Sequence, residues 1–319
     1  MMQESSRITK IGLIGCGRWG RNILRDLLAL GCTVHVADTS RESLKLAKAA
    51  GATETVTETR ALPTVDAVVI ATPSSIHAQS IEEVCDRKIP IFVEKPMTTS
   101  IQSGQKLLDA VGDRLFVMDK WRYHPAVQLL ANIARTNELG PLVGLSMQRL
   151  QWGSPHQDVD GIWILAPHDL SIALEILGYI PEPDHALSDS HKGVPAGLYA
   201  HFKGKPWLRI NVSTRSFLRS RRIELHCQEG IALFDSNCEN QVLILRGSIE
   251  GVNECSNSEI RSLPNPMPLL EELKGFVEYV HGGPAPKSNA AIGYDVVCKI
   301  IRLRELAGIP LEQLRCEEG

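Results

Sequence analysis

The sequence predicts an α/β protein: a doubly wound parallel sheet at the N-terminus, followed by an α/β domain with a mainly antiparallel open sheet. Three observations predict it. An apolar run ending at Ile14 breaks into Gly15, Gly17 and Gly20 just before a helical pattern begins. Strand and helix patterns then alternate as far as Met118, as a parallel sheet covered on both faces requires. From about Trp121 the chain becomes mostly short strand patterns separated by tight turns, the sign of an antiparallel sheet.

The elements follow in order. Residues 8–14 read as a buried strand. A helix over 21–30 places Ile23, Leu24, Leu27 and Leu28 at helical spacing, and Gly31 ends it. Strands are predicted over 33–37, 67–71, 91–94 and 114–118, and helices over 41–50, 76–87 and 100–111. The second half opens with a helix over 125–136, a strand over 142–151 and a helix over 169–177. Five strand patterns follow, over 197–203, 207–215, 222–228, 230–235 and 241–246, before two closing amphipathic helices over 269–280 and 289–306. Residues 182–193 read as a mobile loop and 264–268 as a turn-rich connector. The domains are expected to divide as 1–121 and 122–319.

With 319 residues there is room for two domains. The formal charge of −3, from 34 basic and 37 acidic side chains, advertises no nucleic-acid or anionic-membrane partner. The polar start lacks a signal-peptide pattern and no apolar run reaches membrane-spanning length, so a cytoplasmic protein is expected. Eight cysteines form no C-x-x-C pair, and reduced, mostly buried thiols are expected rather than structural zinc. His156, Asp158 and Asp160 alternate like metal ligands but are read as a solvated loop, and no metal is expected.

The glycine run matches a Rossmann dinucleotide cradle. Gly15 makes the tight turn, Gly17 lets the backbone approach a pyrophosphate, and Gly20 lets helix pack closely on strand. Cys16, Arg18 and Trp19 belong to the same loop. Asp38 ends the second strand about twenty residues beyond Gly17, where a carboxylate would hold the adenosine ribose and repel the extra phosphate of NADP. NAD is therefore the expected cofactor. Thr39, Ser40 and Arg41 line the same corner, and Ser40 with Arg41 keeps NADP as an alternative. An open α/β sheet binds its ligand at the carboxyl ends of its strands. That rule selects Ala71, Thr72, Pro73, Ser74 and His77 at one strand end, and Glu94 and Lys95 at the next.

Three further stretches stand out: Ala71-Thr72-Pro73-Ser74-Ser75-Ile76-His77, Glu94-Lys95-Pro96, and Pro167-His168-Asp169-Leu170. With the glycines and Asp38, they resemble the Gfo/Idh/MocA oxidoreductases. The resemblance extends over Arg122-Tyr123-His124-Pro125 and the closing Pro268-Leu269, Glu272, Phe276 and Gly282. It implies a Rossmann domain, a second domain whose sheet often forms a homo-oligomer interface, and hydride transfer between nicotinamide and a sugar, cyclitol or nucleotide-sugar carbon. Lys95 and His168 are the implied catalytic pair, and Arg122, Tyr123 and His168 the implied substrate contacts.

The chemistry of these residues agrees. A lysine at a strand end beside the cofactor can donate to the reacting oxygen. A neutral imidazole near pH 7 can take the hydroxyl proton. On this reading His168 lies at a helix start, where the dipole disfavours imidazolium, and Asp169 is the helix cap. Arg215, Arg219, Arg221 and Arg222 read as the solvated face of a strand and its turn, with a grip on a substrate diphosphate as the alternative. One departure stands out: Ile164 occupies the position, four residues before the histidine, where the family commonly has aspartate. It leaves open a catalytically inactive dinucleotide-binding regulator, and an imine or tetrapyrrole-type reductase on the same scaffold.

Overall fold

The computed structural model describes residues 8–154, 157–238, 240–247 and 258–310. Six strands form the first sheet: β1 (Lys10–Ile14), β2 (Thr33–Ala37), β3 (Glu54–Val56), β4 (Ala67–Ile70), β5 (Ile91–Glu94) and β6 (Leu115–Met118). All pair in parallel, in the order β3-β2-β1-β4-β5-β6. The order reverses between β1 and β4, which opens a crevice at their carboxyl ends. Helices α1 (Gly20–Ala29), α2 (Arg41–Ala49), α3 (His77–Glu82) and α4 (Ile101–Val111) connect the strands. Ser40 and Ser100 cap α2 and α4 by accepting N–H bonds from Ser43 and Ser103.

Because both faces of this sheet are covered, its strands are apolar throughout, with Leu13, Val69, Val68 and Ile70 fully buried. One face packs on α1 and on a helix from far along the chain, α7 (Pro268–Val280). Phe276 of that helix stacks on Phe92 of β5, ring centroids 4.7 Å apart, and Tyr279 meets the edge of Phe116 on β6. The first compact unit is accordingly built from two stretches, the chain up to Lys120 and Leu269–Asp295. Trp121–Pro268 and the residues from Val296 onward make the second.

The second unit holds α5 (Pro125–Thr136), β7 (Leu142–Trp152), α6 (Gly161–Leu177) and seven further strands. These are β8 (Pro183–His191), β9 (Val194–Phe202), β10 (Trp207–Ser213), β11 (Arg215–Cys227), β12 (Gly230–Asp235), β13 (Gln241–Arg246) and β14 (Ser258–Ser262). The sheet order is β14-β13-β12-β11-β7-β10-β9-β8, antiparallel except where β10 lies parallel to β7. Helix α6 packs on β7, β9 and β10 of this sheet and against α5. Helix α8 (Ala290–Leu306) follows α7.

Three expectations are corrected here. Within residues 182–193, read as a loop, Pro183–His191 form the edge strand β8, because their backbone pairs antiparallel with β9. Strands β3 and β14 are additional, both short and largely polar, so neither shows the apolar alternation that marks a strand. Helix α6 starts at Gly161 instead of Asp169. Asp160 is its cap, accepting N–H bonds from Ile162 and Trp163 at 3.0 and 3.3 Å, and Pro167 sits inside it. A proline usually marks a helix start. Here tertiary burial of an almost wholly apolar helix overrides that preference.

Candidate functional site

At the carboxyl end of β1 the three glycines take three different jobs. Gly15 has φ +84°, and a Cβ there would stand 2.7 Å from the Ala71 carbonyl. A Cβ on Gly20 would stand 2.2 Å from the Gly15 oxygen. Gly17 is different: a Cβ there meets nothing within 4 Å, so its backbone faces the open space a pyrophosphate needs. Helix α1 begins without a side-chain cap and without an acid in its first turn, which leaves the positive end of its dipole to an anion. The residues present fit a dinucleotide.

Asp38 closes the other side. Its carboxylate accepts the Cys16 N–H at 2.7 Å and the Ser40 N–H at 2.8 Å, so the glycine loop and the end of β2 hold each other in place. The buried Cys16 thiol is pushed up to about 11, by burial first and then by the Asp38 charge, and so stays protonated and unreactive. Arg18, Thr39 and Arg41 are exposed on the rim of this corner, where a nucleotide can reach them.

Next along the strand ends lie the β4 and β5 turns. Thr72 and Pro73 lead into a short 3₁₀ turn, Ser74–Ile76, and Ser74 is buried. His77, selected as a cofactor-lining residue, is buried as well and bridges two turns. Its Nδ1 lies 2.7 Å from the Pro96 carbonyl and its Nε2 3.0 Å from the Thr72 carbonyl. It ties the loop after β4 to the loop carrying Lys95, a connection no sequence pattern predicts. Burial holds the imidazole below its ordinary range, against the pull of those two carbonyls.

Glu94 ends β5 and accepts the indole N–H of Trp19, while Lys120 Nζ stands 4.1 Å above the centre of that indole. Lys95 is half-buried immediately beyond. Glu272 on α7 is 1% exposed and held well above the ordinary carboxylate range, by burial first and then by Glu94 and Asp119. This acid was part of the family resemblance without a role. The spacing of Leu269, Glu272, Leu273 and Phe276 on one helical face already marks it as inward-facing.

In the second unit His168 is half-buried in the middle of α6, one turn beyond the buried Ile164. The dipole argument for a neutral imidazole therefore does not apply to it. Asp169 is not the cap either. It is 1% exposed and accepts a bond from the Arg149 guanidinium at 2.7 Å, and burial outweighs Arg149 and Arg221 to push its carboxyl upward. Arg149 in turn lies 4.6 Å over the Trp121 ring. Arg122 is held by Glu175 at 2.9 Å, with Tyr123 half-buried beside it.

The arginine group divides. Arg215 and Arg219 are exposed, and Arg222 pairs with Glu224 at 2.8 Å. Arg221 turns inward to the carbonyls of Leu150 and Ser220 at 2.6 and 2.8 Å, and burial, followed by repulsion from Arg149 and Arg219, lowers it to about 10. His156 lies outside the described residues. Asp160, from the same expected loop, is committed to capping α6 and to Arg304.

Residues 9–115 match the family described as "Oxidoreductase family, NAD-binding Rossmann fold". This is the stretch that folds into the parallel sheet and its glycine cradle. That stretch is what the chain shares with the Gfo/Idh/MocA oxidoreductases. NAD is the cofactor of its Rossmann domain. Among Gfo/Idh/MocA relatives, UDP-N-acetylglucosamine 3-dehydrogenase of Acidithiobacillus ferrooxidans is 28% identical over 227 residues, 67% of each chain. Inositol 2-dehydrogenase 1 of Paenarthrobacter aurescens is 28% identical over 164 residues, 47% of this chain and 48% of its own length. A levoglucosan dehydrogenase solved with NADH and levoglucosan superposes with TM-score 0.82 at 16% identity, covering 95% of this chain and 98% of that one. A structure of the Acidithiobacillus ferrooxidans enzyme gives TM-score 0.77 at 22% identity over 94% and 98%. At such identities the superpositions speak to the fold. No described helix is long and apolar enough to cross a membrane.

Proposed function

We propose that this protein is an NAD-dependent dehydrogenase that moves a hydride between nicotinamide and a hydroxyl-bearing carbon of a sugar, a cyclitol or a nucleotide-linked sugar. One observation carries the reading. The glycine cradle after β1 and the Glu94-Lys95-Pro96 turn after β5 lie at the same carboxyl edge of one sheet, the edge where open α/β sheets bind ligands. The names of the relatives supply the substrate class.

NAD, when bound, supplies the hydride acceptor. Lys95 would donate to the reacting oxygen and stabilise the charge that develops there. His168 would take the hydroxyl proton, a task suited to imidazole near pH 7. Asp38, oriented by the Cys16 and Ser40 N–H groups, would hold the adenosine ribose and disfavour NADP, with exposed Ser40 and Arg41 as the route by which NADP is accepted.

Reduction of NAD measured over a panel of sugars, cyclitols and UDP-sugars tests the class. Lys95→Ala is expected to lower turnover at least about a hundredfold while leaving NADH affinity within a few-fold. Unchanged turnover would remove Lys95 from the mechanism. A second reading, a regulator that binds NAD and has lost catalysis, is favoured by Ile164, an apolar side chain where the family commonly has aspartate. NADH binding without turnover on any member of the panel would select it.

The second sheet would join copies of the chain, since its edge strand β8 exposes Leu187 and the neighbouring β9 exposes Val194 and Tyr199. Sedimentation velocity decides this, and a monomer at micromolar protein would overturn it. A reducing compartment, the cytoplasm, fits the six free cysteines among the described residues.

A further inference from the structure

We propose that Asp184, His185 and His201 form a surface binding site for a divalent ion of the zinc class, in the second unit and distinct from the dinucleotide cradle. The three side chains come from the edge strand β8 and its neighbour β9, and each offers one ligand atom. Those atoms all lie within 4.8 Å of one another.

The gathering has a backbone cause. His185 pairs opposite His201 and Pro183 opposite Phe202, so two steps along β8 answer one step along β9, and Asp184 is the extra residue. Regular alternation sends neighbouring side chains to opposite faces of a sheet. A bulge suspends that alternation and re-aims a side chain. Here Asp184 Oδ2 comes to 2.9 Å from His185 Nδ1 and 3.7 Å from His201 Nδ1.

Those two gaps bracket the ligand spacing of a tetrahedral ion, about 3.3 Å for metal–ligand bonds of about 2.0–2.1 Å. Two imidazole nitrogens and one carboxylate oxygen suit zinc and its neighbours, whereas calcium and magnesium prefer all-oxygen shells. In the single chain the fourth position is open, with the side chains of His185 and His201 81% and 46% exposed. Leu187 and Tyr199 stand two residues along on the same face, so joining of copies there would put the site at the subunit boundary, with water or the second copy in the fourth position. The aspartate has a competing partner. Lys203 Nζ lies 3.0 Å from Oδ1, the oxygen that does not face the histidines. The Lys203 side chain is 75% exposed and can swing into water when an ion arrives.

Calorimetric titration of the full chain with zinc chloride at neutral pH tests the site. One equivalent is expected to bind per chain in the micromolar range or tighter. Asp184→Asn, His185→Ala and His201→Ala should each weaken binding at least about tenfold, the smallest loss typical even of groups that merely support a metal ligand. His191→Ala, on the same strand outside the cluster, should bind as the parent does. Cobalt should give the visible bands of a tetrahedral ion in the parent and lose them in His201→Ala. Each variant is melted without metal, and one that unfolds early is replaced by His→Gln at the same position. Absence of zinc uptake at micromolar concentration overturns the proposal. So does uptake that all three cluster variants leave unchanged, which would place the ion elsewhere, for instance at exposed Cys238.

Discussion

Individual side chains packed around the first sheet set charge against burial. Glu272 shows this most clearly. A carboxyl group removed from water and placed near Glu94 and Asp119 favours its neutral form, and Lys120 only partly offsets them. Its folded value therefore lies above the ordinary 4.5, so the folded state binds more protons than the unfolded state once the pH exceeds that value. The sign follows. Stability assigned to this group is full in acid and falls as pH rises from about 4.5 through the folded value. Glu272→Gln mimics the neutral acid and should abolish the loss. In urea melts the variant should match its parent at pH 5 and exceed it at pH 8. An equal difference at both pH values would show that the carboxyl titrates alike in the folded and unfolded chains, and would overturn the upward shift. His77 presents the other resolution of the conflict: the buried imidazole stands within hydrogen-bond distance of two backbone carbonyls, and its neutral form donates its N–H to one of them. Its position in the motif was legible in the sequence, but its job was not, because backbone carbonyls leave no trace in residue identity.

Among the elements, legibility tracked how much each depended on its own residues. Strands β2, β5, β12 and β13 and helix α5 fall where their apolar patterns and caps place them. Helix α5 has Pro125 at its first turn and its apolar positions at helical spacing. Helix α6 did not, because burial on nearly all sides erases the periodicity that marks a surface helix, and Pro167 imitates a start signal. What fixes its true beginning is Asp160, which caps two N–H groups and also pairs with Arg304, itself 2% exposed. Losing a cap alone costs about 1 kcal/mol. Leaving a buried guanidinium unpaired costs about 3–5 kcal/mol. Asp160→Ala should therefore destabilise by about 3–5 kcal/mol in urea unfolding, and adding Arg304→Met should recover part of it. A loss near 1 kcal/mol would mean that Arg304 finds another partner or water, and that the ion pair contributes little.

Across the whole molecule, the NAD-binding unit is not finished when its last strand is. Strand β6 ends at Met118, yet one face of the sheet waits for α7, about 150 residues later in the chain. The sequence showed α7 as an amphipathic helix but not which surface it would cover, since amphipathicity specifies a face and not a partner. The partner is set by Phe276, fully buried, stacked on Phe92 and edge-on to Phe116. Removing such a ring from a packed core costs about 3–5 kcal/mol. If Phe276 closes the core of the NAD-binding unit, Phe276→Ala should lower the melting transition that saturating NADH raises, because a ligand stabilises the unit that binds it. Differential scanning calorimetry with and without NADH reads both effects in one experiment. A variant whose NADH-responsive transition is unmoved, while a separate transition falls, would assign α7 to the stability of the second unit instead.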